Sequence, residues 1–367
     1  MPCSCPPSSE RPWSCPSTTI CIWPSCRSGS TPPINDMDTK MKIAVVGIGV
    51  IGRVHLEVLS EMGATVVALC DTDVEKAAAV GAEYGFSAPV WGDFEKMLAE
   101  ARPDVVHICT PHYLHAPMVI AALKRGVHVL CEKPLCIHFE EIDAILAAEA
   151  ASTATLGVCL QNRYNPANLF VKDYLKTHKV QAAHGSVTWH RDAAYYNKAA
   201  WRGHWDTEGG GVMINQALHT LDLLLWFLGD PTSVSAGTAN LTLDGVIEVE
   251  DTAAATFHGG EAPFTFFATN GAAVSMPVEI GFRMENGDDL TLLPLCVLHN
   301  DEVLFAAPRP RVRGKVCYGA GHGPLIRDFY RCLGEGRHFP IDGREGARVI
   351  RLILAMYHSG QHEIEIK

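Results

Sequence analysis

The chain has 367 residues, more than one hydrophobic core usually organises, so two folded domains are expected. Hydrophobic residues make up 47% and charged residues 19%, which excludes a disordered or fibrous protein for the bulk of the chain. The formal net charge is −11, and a negative surface repels phosphate backbones and anionic lipid headgroups. We therefore expect neither nucleic acid nor a membrane as a partner.

The first 40 residues differ in composition from the rest of the chain. Five of the 13 cysteines precede Asp36, together with eight prolines and eight serines, and the segment has no apolar periodicity. We expect residues 1–40 to be a disordered extension outside the folded protein, which begins near Met37 or Met41. A cysteine-rich metal tail is the alternative, although metal-ligand spacing is lacking. The other cysteines lie in apolar runs, which predicts buried, reduced thiols and a cytoplasmic protein.

A short β-branched run from Lys42 leads into a glycine-rich turn and then into a helical pattern. Gly47, Gly49 and Gly52 form G-x-G-x-x-G, with Val50 and Ile51 inside the motif. These glycines allow a tight turn, a close approach of a pyrophosphate and close helix packing, while the helix N-terminus favours an anion. A simple strand-to-helix connection is the other interpretation of such a turn.

A second strand, Thr65 to Cys70, ends at Asp71, which lies 19 positions after Gly52. A carboxylate at about this spacing accepts hydrogen bonds from the ribose hydroxyls of a dinucleotide. Its charge would repel a 2′-phosphate, which favours NAD over NADP. Asp71 could also be a turn or cap residue.

Strand and helix patterns then alternate as far as Leu160, which predicts a parallel sheet covered by helices. Ligands of such sheets bind beyond the carboxyl ends of the strands. Two tripeptides fall at such ends and are expected beside the nicotinamide: Thr110-Pro111-His112 and Glu132-Lys133-Pro134.

After Gln161 the apolar residues alternate with period two between Gly, Asn and Asp residues, as in strands of an antiparallel sheet. One helix, from about Gly211 to Phe227, interrupts them. Helical spacing places Asn215 and Asp222 on the same side as His219. By itself His219 is either a buried core residue or a proton acceptor.

Several segments together carry a family resemblance. The segments AVVGIGVIGRVH, ICTPHYLHAPMVIAALKRGVHVLCEKPL, GVCLQNRYNP, WRGHWDTEGGGVMINQALHTLDLLLWFLGDP and HGPLIRDFYRCL resemble the glucose-fructose oxidoreductase, inositol dehydrogenase and rhizopine catabolism (Gfo/Idh/MocA) family. The resemblance implies an α/β protein in which a Rossmann domain with a doubly wound parallel sheet (41–160) binds NAD. It also implies a C-terminal α/β domain (161–367) with a large, mostly antiparallel open sheet that binds substrate and forms a homodimer or homotetramer.

The resemblance also assigns roles to individual residues. Lys133 matches the EKP lysine of the family and lies near the reacting oxygen, and His219 matches the general base. The commonest family pattern has Asp where this chain has Asn215, and an amide cannot act as a base, so His219 alone is expected to accept the proton. The N-Q-x-x-H form resembles the nucleotide-sugar and glycoside 3-dehydrogenase branches. Asp222 either fixes the imidazole tautomer or forms a bridge within the helix.

The remaining expected contacts come from loops. His112 and His115 are expected to line the cofactor cleft, with loop packing and helix capping as the alternative. Polar and aromatic side chains suited to a sugar are Gln161, Asn162, Arg163, Tyr164, Tyr195, Trp201, Arg202 and Trp205.

The sequence thus predicts an NAD-dependent oxidoreductase that moves a hydride between nicotinamide and a secondary hydroxyl or ketone, at C3, of a carbohydrate. The substrate would be a sugar, glycoside, cyclitol or nucleotide-sugar. An NAD-dependent glycoside hydrolase that oxidises C3 transiently, and a non-catalytic cofactor sensor, are the alternatives. No metal is expected, because H-E-x-x-H is absent, and no G-x-S-x-G nucleophile occurs.

Overall fold

The computed structural model describes residues 41–308 and 321–366. The predicted disordered extension, residues 1–40, lies outside the described residues. Within them the chain forms two β-sheets, with helices packed against both.

The first sheet has six parallel strands in the order β3-β2-β1-β4-β5-β6. The order reverses at the pair β1 and β4, which is where doubly wound sheets bind ligands. The parallel Rossmann sheet predicted from the sequence is therefore confirmed. The strands are β1 (Lys42–Val46), β2 (Thr65–Cys70), β3 (Val90–Trp91), β4 (Val105–Ile108), β5 (His128–Cys131) and β6 (Leu156–Val158).

Five helices connect these strands. Two of them begin at side-chain caps: Asp73 and Asp93 accept backbone N–H groups of the first turns of the second and third helices. The helices are α1 (Val50–Glu61), α2 (Val74–Glu83), α3 (Phe94–Ala101), α4 (His115–Lys124) and α5 (Phe139–Ala151).

The second sheet has nine strands in the order β14-β13-β12-β11-β7-β10-β9-β8-β15. The pair β7 and β10 is parallel and every other neighbouring pair is antiparallel, so the mostly antiparallel sheet predicted from the sequence is confirmed. The strands are β7 (Val180–Thr188), β8 (Ser233–Ala239), β9 (Thr252–His258), β10 (Phe264–Thr269), β11 (Glu279–Met284), β12 (Asp289–Leu293), β13 (Cys296–His299), β14 (Glu302–Ala306) and β15 (Ile364–Glu365).

The remaining helices lie between the sheets or beside them. They are α6 (Pro166–Tyr174), α7 (Ala193–Tyr196), α8 (Trp205–Glu208), α9 (Leu218–Leu228), α10 (His322–Gly334) and α11 (Gly343–Ser359). Helix α11 packs against α5 and β6 of the first sheet and against α9 and β8 of the second. A single cluster of buried apolar side chains consequently runs through both halves.

One stretch, Trp205–Leu228, is long and apolar enough to cross a membrane by length and composition. However, 89% of its richest window is buried inside the protein, as in a core helix. The seven cysteines of the described residues are free and buried, as the sequence predicts.

Candidate active site

The glycine turn between β1 and α1 leaves room for a phosphate group. Gly47 has φ +83°, and a Cβ at Gly52 would lie 2.2 Å from the carbonyl oxygen of Gly47, so a larger residue cannot occupy position 52. A Cβ at Gly49 would meet no atom within 4 Å. Because α1 starts at Val50 without a side-chain cap, its first N–H groups face this open space. The turn therefore fits the pyrophosphate of a dinucleotide.

Asp71 lies beside this turn at the carboxyl end of β2. Its Oδ2 accepts the N–H of Ile48 at 2.7 Å, and its Oδ1 accepts the N–H of Asp73 at 3.0 Å. Asp73, not Asp71, caps α2. The carboxylate is thus held at the position where a Rossmann fold binds the adenosine ribose.

The loops after β4 and β5 are tied together by His115. Its Nε2 lies 2.8 Å from the carbonyl oxygen of Thr110, and its Nδ1 lies 2.6 Å from that of Pro134. The ring is only 1% exposed. The imidazole therefore holds two loops in register, as in the packing alternative, and its place in the lining of the cofactor cleft stays a prediction.

His112 remains at the edge of the cleft. Its Nδ1 donates to the carbonyl oxygen of Glu208 at 2.9 Å, and its ring centroid lies 4.6 Å from that of Trp201. Burial, with help from the charge of Lys133, holds the pKa of His112 well below its usual value, so the ring is neutral.

Glu132 is buried and makes its hydrogen bonds inside the protein. Its Oε1 accepts from His55 Nε2 at 3.0 Å and from His322 Nε2 at 3.1 Å, and its Oε2 accepts the N–H of Lys133 at 3.2 Å. Burial opposes ionisation, but these histidine bonds outweigh it and hold the pKa of Glu132 well below its usual range. Glu132 therefore anchors the backbone that carries Lys133, and its direct role in cofactor binding stays a prediction.

The hydrogen bonds continue inward from His55. His55 Nδ1 lies 2.7 Å from His107 Nδ1, and His107 Nε2 lies 2.7 Å from the hydroxyl of Tyr330. With both rings neutral, Tyr330 donates to His107, His107 to His55, and His55 to Glu132, so every group in the chain is satisfied. Cys159 also lies near His55 and Glu132 in an arrangement of metal-ligand type, but these hydrogen bonds leave nothing that requires a cation. The absence of a metal stays a prediction.

Lys133 reaches across from the first sheet to the helical segment of the second half. Its Nζ donates to the backbone oxygen of Asn215 at 2.9 Å. Burial lowers the pKa of Lys133, while the charges of Glu132 and Glu208 oppose that change.

The predicted helix from about Gly211 to Phe227 consists of a π-helical turn, Met213–Ala217, that runs into α9. Such turns are frequent at functional sites. Of residues 208–225, Asn215 is the only one that is not buried. The segment therefore presents Asn215 to the cleft.

His219 lies one turn further along this helix and is 4% exposed. Its Nε2 is 3.0 Å from Gln161 Nε2, while its Nδ1 is buried and has no partner among the described residues. Burial, followed by the charge of Lys133, holds the pKa of His219 well below its usual value. The ring is thus neutral at pH 7 and able to accept a proton.

The open question about Asp222 is settled by Arg163. The guanidinium donates to Asp222 at 3.0 Å from Nε and 2.6 Å from NH2, and to Glu345 at 2.6 Å from NH1. Asp222 therefore bridges elements and does not orient His219. Arg163 is buried and engaged with these two carboxylates, and its predicted contact with substrate stays a prediction.

The neighbours of Arg163 also make internal contacts. The hydroxyl of Tyr164 donates to Asp328 at 2.6 Å, which directs it to α10. Asn162 accepts from the side chains of Asn165 and Asn168. Of the predicted group at 161–164, only Gln161 contacts a proposed catalytic side chain.

An aromatic and cationic surface borders the cleft. The guanidinium of Arg202 lies 4.5 Å from the ring centroid of Tyr195 and 5.4 Å from that of Trp201. Arg191 lies 4.9 Å from the same tyrosine ring. Neither arginine forms an ion pair with a carboxylate in the described part of the chain, which leaves both able to pair with an anion. Trp205 is instead 41% exposed and bonded to Glu248, away from Trp201.

Sequence reasoning missed Glu208, the last residue of α8. The side chain is fully buried, its Oε2 accepts the N–H of Gly203 at 2.6 Å, and its Oε1 accepts Nδ2 of Asn215. Burial raises the pKa of Glu208 to about 7. The available signal was a carboxylate directly before the run Gly209-Gly210-Gly211.

Comparison with known proteins agrees with this geometry. Residues 41–160 match the family model described as an oxidoreductase family with an NAD-binding Rossmann fold, and residues 178–287 match the GFO/IDH/MocA C-terminal domain. D-apiose dehydrogenase of Paraburkholderia graminis is 25% identical over 89% of this chain and 90% of its own length. D-glucoside 3-dehydrogenase of Escherichia coli is 31% identical over 52% of this chain, which spans about half (55%) of that relative.

A solved structure is similar over most of the chain. The WlbA dehydrogenase from Bordetella pertussis, in complex with NADH and UDP-GlcNAcA, superposes with a TM-score of 0.78 at 29% identity, covering 89% of this chain and 99% of that one. The glycine turn and Asp71 fit the same cofactor, NAD. The chain is an NAD-dependent dehydrogenase of the sugar dehydrogenase type and belongs to the Gfo/Idh/MocA oxidoreductase family.

Proposed function

We propose that this dehydrogenase transfers a hydride between NAD and a secondary hydroxyl or ketone, at C3, of a sugar, glycoside, cyclitol or nucleotide-sugar. His219 is the base and Lys133 assists it. The observation that supports this most is the meeting of Lys133, Asn215 and His219 at the carboxyl edge of the parallel sheet, where His219 Nδ1 is left without a partner.

Oxidation of an alcohol requires removal of both a hydride and a proton. Bound NAD supplies the hydride acceptor. The neutral ring of His219 takes the hydroxyl proton, and its low pKa keeps it ready to accept one at physiological pH. The amide nitrogen of Gln161 lies against Nε2. With the amide turned over so that its oxygen, which has no partner among the described residues, faces Nε2, that nitrogen carries the ring proton and Nδ1 keeps the lone pair that a base needs.

Lys133 stabilises the alkoxide that develops as the proton leaves. Its ammonium is buried and held by the backbone oxygen of Asn215. A fixed cation in a site of low dielectric stabilises developing negative charge better than solvent does. The amide of Asn215, the one half-buried residue among residues 208–225, binds a second hydroxyl of the sugar.

The arginine side chains that border the cleft indicate which class of substrate it binds. Arg202 and Trp201 offer a planar cation and an aromatic face, which suit a carboxylate or phosphate and a sugar ring. A nucleotide-sugar acid such as the ligand of the WlbA dehydrogenase, and a glucoside such as the substrate named for the Escherichia coli relative, are the first compounds to test.

The test is reduced-nicotinamide absorbance with the full chain, NAD, and a panel of free sugars, inositols, glycosides and nucleotide-sugars. We expect one class to generate NADH. Release of a sugar from a glycoside without net NADH would instead establish the glycoside hydrolase. Tight NAD binding with neither product would establish the non-catalytic sensor.

Assembly and location remain proposals. On the second sheet, Phe267 of β10 is 42% exposed, next to an open depression lined by Ala254, Thr256 and Thr265. An apolar sheet face of this kind favours association. We propose a homodimer or homotetramer in the cytoplasm, to be tested by light scattering of the wild type and of Phe267→Lys, which should weaken the assembly.

A further inference from the structure

Glu208 is a buried carboxyl that the reaction described above does not use. It comes from α8, and its two oxygens accept from Gly203 N–H and Asn215 Nδ2. Both partners are donors, which matches the ionised carboxylate: a protonated carboxyl accepts more weakly and adds an O–H that needs an acceptor of its own.

The contact with Asn215 fixes which end of that amide is free. Glu208 takes the Nδ2 donor end, so the oxygen end is left for the cleft. Asn215 is also the residue whose backbone oxygen accepts from Lys133. Asn215 thus connects the carboxylate of Glu208 to the ammonium of Lys133.

The charge of Glu208 acts on Lys133 as well. Burial lowers the pKa of Lys133, the charges of Glu132 and then Glu208 raise it, and that of Arg202 lowers it. In a buried site these interactions are only weakly screened, so the loss of one negative charge shifts the ammonium towards the free amine.

We propose that Glu208 is a positioning residue of the dehydrogenase: its carboxylate turns the oxygen of Asn215 to a substrate hydroxyl and keeps Lys133 protonated. This inference rests on the proposed function. Glu208 itself lies outside the cleft, but it controls two groups inside the cleft: the amide of Asn215 and the ammonium of Lys133.

A pH dependence follows, because burial raises the pKa of Glu208 to about 7. Below that pH the carboxyl is protonated, accepts the amide of Asn215 more weakly and no longer balances the charge of Lys133, so kcat/KM should fall as the pH drops through 7. The titratable neighbours of Glu208 do not produce a loss on the acidic side. Burial holds the pKa of His112 well below its usual value and raises those of Tyr196 and Tyr357. Burial lowers the pKa of Lys133, but loss of its proton would reduce kcat/KM as the pH rises and not as it drops. The guanidinium of Arg202 is the remaining charged neighbour.

The first test compares Glu208→Gln, Glu208→Asp and a matched control, Glu250→Gln. Glu250 is also buried with its pKa raised to about 7, but it bonds Gly211, Met213 and Tyr357 and not Asn215. We expect kcat/KM of the wild type and of Glu250→Gln to rise through an apparent pKa near 7. Glu208→Gln should lose this transition and about tenfold in kcat, as for one misplaced hydrogen-bonding group. Glu208→Asp should keep the transition, because it keeps the charge.

The second test does not require turnover. An amine-reactive reagent, acetic anhydride, labels Lys133 only as the free amine, and peptide mass spectrometry measures the rate at pH 7.5. Glu208→Gln should raise the rate about three- to tenfold, since a change of one in pKa changes the free-amine fraction about tenfold. Fluorescence titration with NADH checks that each variant is folded.

The outcomes separate the two claims. A faster-labelling Lys133 together with a lost transition in Glu208→Gln supports the inference. An unchanged labelling rate, or an unchanged pH profile, in Glu208→Gln overturns it. If the wild type oxidises no carbohydrate, the proposed function fails, and the labelling rate alone decides whether Glu208 controls Lys133.

Discussion

The glycine turn forms the cofactor-binding part of the site and the π-helical segment forms the substrate-binding part, and the two are stabilised by different kinds of contact. The turn from Gly47 to Gly52 is local: six consecutive residues provide the tight bend, the open space and the helix N-terminus. The π-helical segment depends on distant partners, since Asn215 is held by Lys133 and Glu208, and His219 by Gln161. The cofactor-binding part of the site can therefore be predicted from a sequence motif, whereas the substrate-binding part can be identified only from the folded structure.

The largest effect should come from Lys133, which connects the two regions. Lys133→Met should lower kcat by about 10³, as for removal of one group that stabilises a developing oxyanion. NADH binding should change little. Lys124→Met, an exposed lysine of α4, is the control and should keep wild-type kcat. If Lys133→Met lowered kcat less than tenfold, Lys133 would have no direct role in the chemical step.

Asp222 tests the distant contacts of the second region through stability. Asp222→Asn should lower the free energy of unfolding by about 3 kcal/mol, because it leaves Arg163 buried with Glu345 as its remaining carboxylate. Asp143→Asn removes an exposed carboxylate 3.9 Å from Arg351 and should cost less than about 0.5 kcal/mol. Urea denaturation measures both. Equal losses would show that the buried ion pair has no special role in the fold.

Asp71 tests the local region through cofactor choice. Asp71→Ala should weaken NAD and admit NADP, changing the ratio of the two kcat/KM values by about 30-fold, or 2 kcal/mol. Asp73→Ala removes the cap of α2 and should leave the ratio unchanged. If Asp71→Ala kept the preference for NAD over NADP, the carboxylate of Asp71 would not be the group that binds the ribose.

Gln161 should give the smallest effect. Gln161→Leu removes the partner of His219 Nε2, so the ring loses its fixed tautomer and kcat should fall about tenfold. Gln161→Glu keeps an acceptor at this position and should retain more activity than Gln161→Leu. If the two variants had the same kcat, Gln161 would not set the tautomer of His219.

The same contrast explains what could be predicted from the sequence. The two sheets and the positions of Gly47, Gly52 and Asp71 follow from short-range periodicity and spacing. The true role of Arg163 could not be predicted, because its partners lie 59 and 182 positions away. Glu208 was missed for a similar reason: a carboxylate before a glycine run looks like a surface residue until the fold buries it against Asn215.

The central claim is that Lys133 and His219, which come from different halves of the chain, act as one site. A double-mutant cycle on kcat with Lys133→Met, His219→Asn and the double variant tests it, with NADH binding as the control. Groups that act as a unit have non-additive effects. The account predicts that the double variant loses no more than about tenfold beyond the more damaging single variant. Losses that multiply would contradict it.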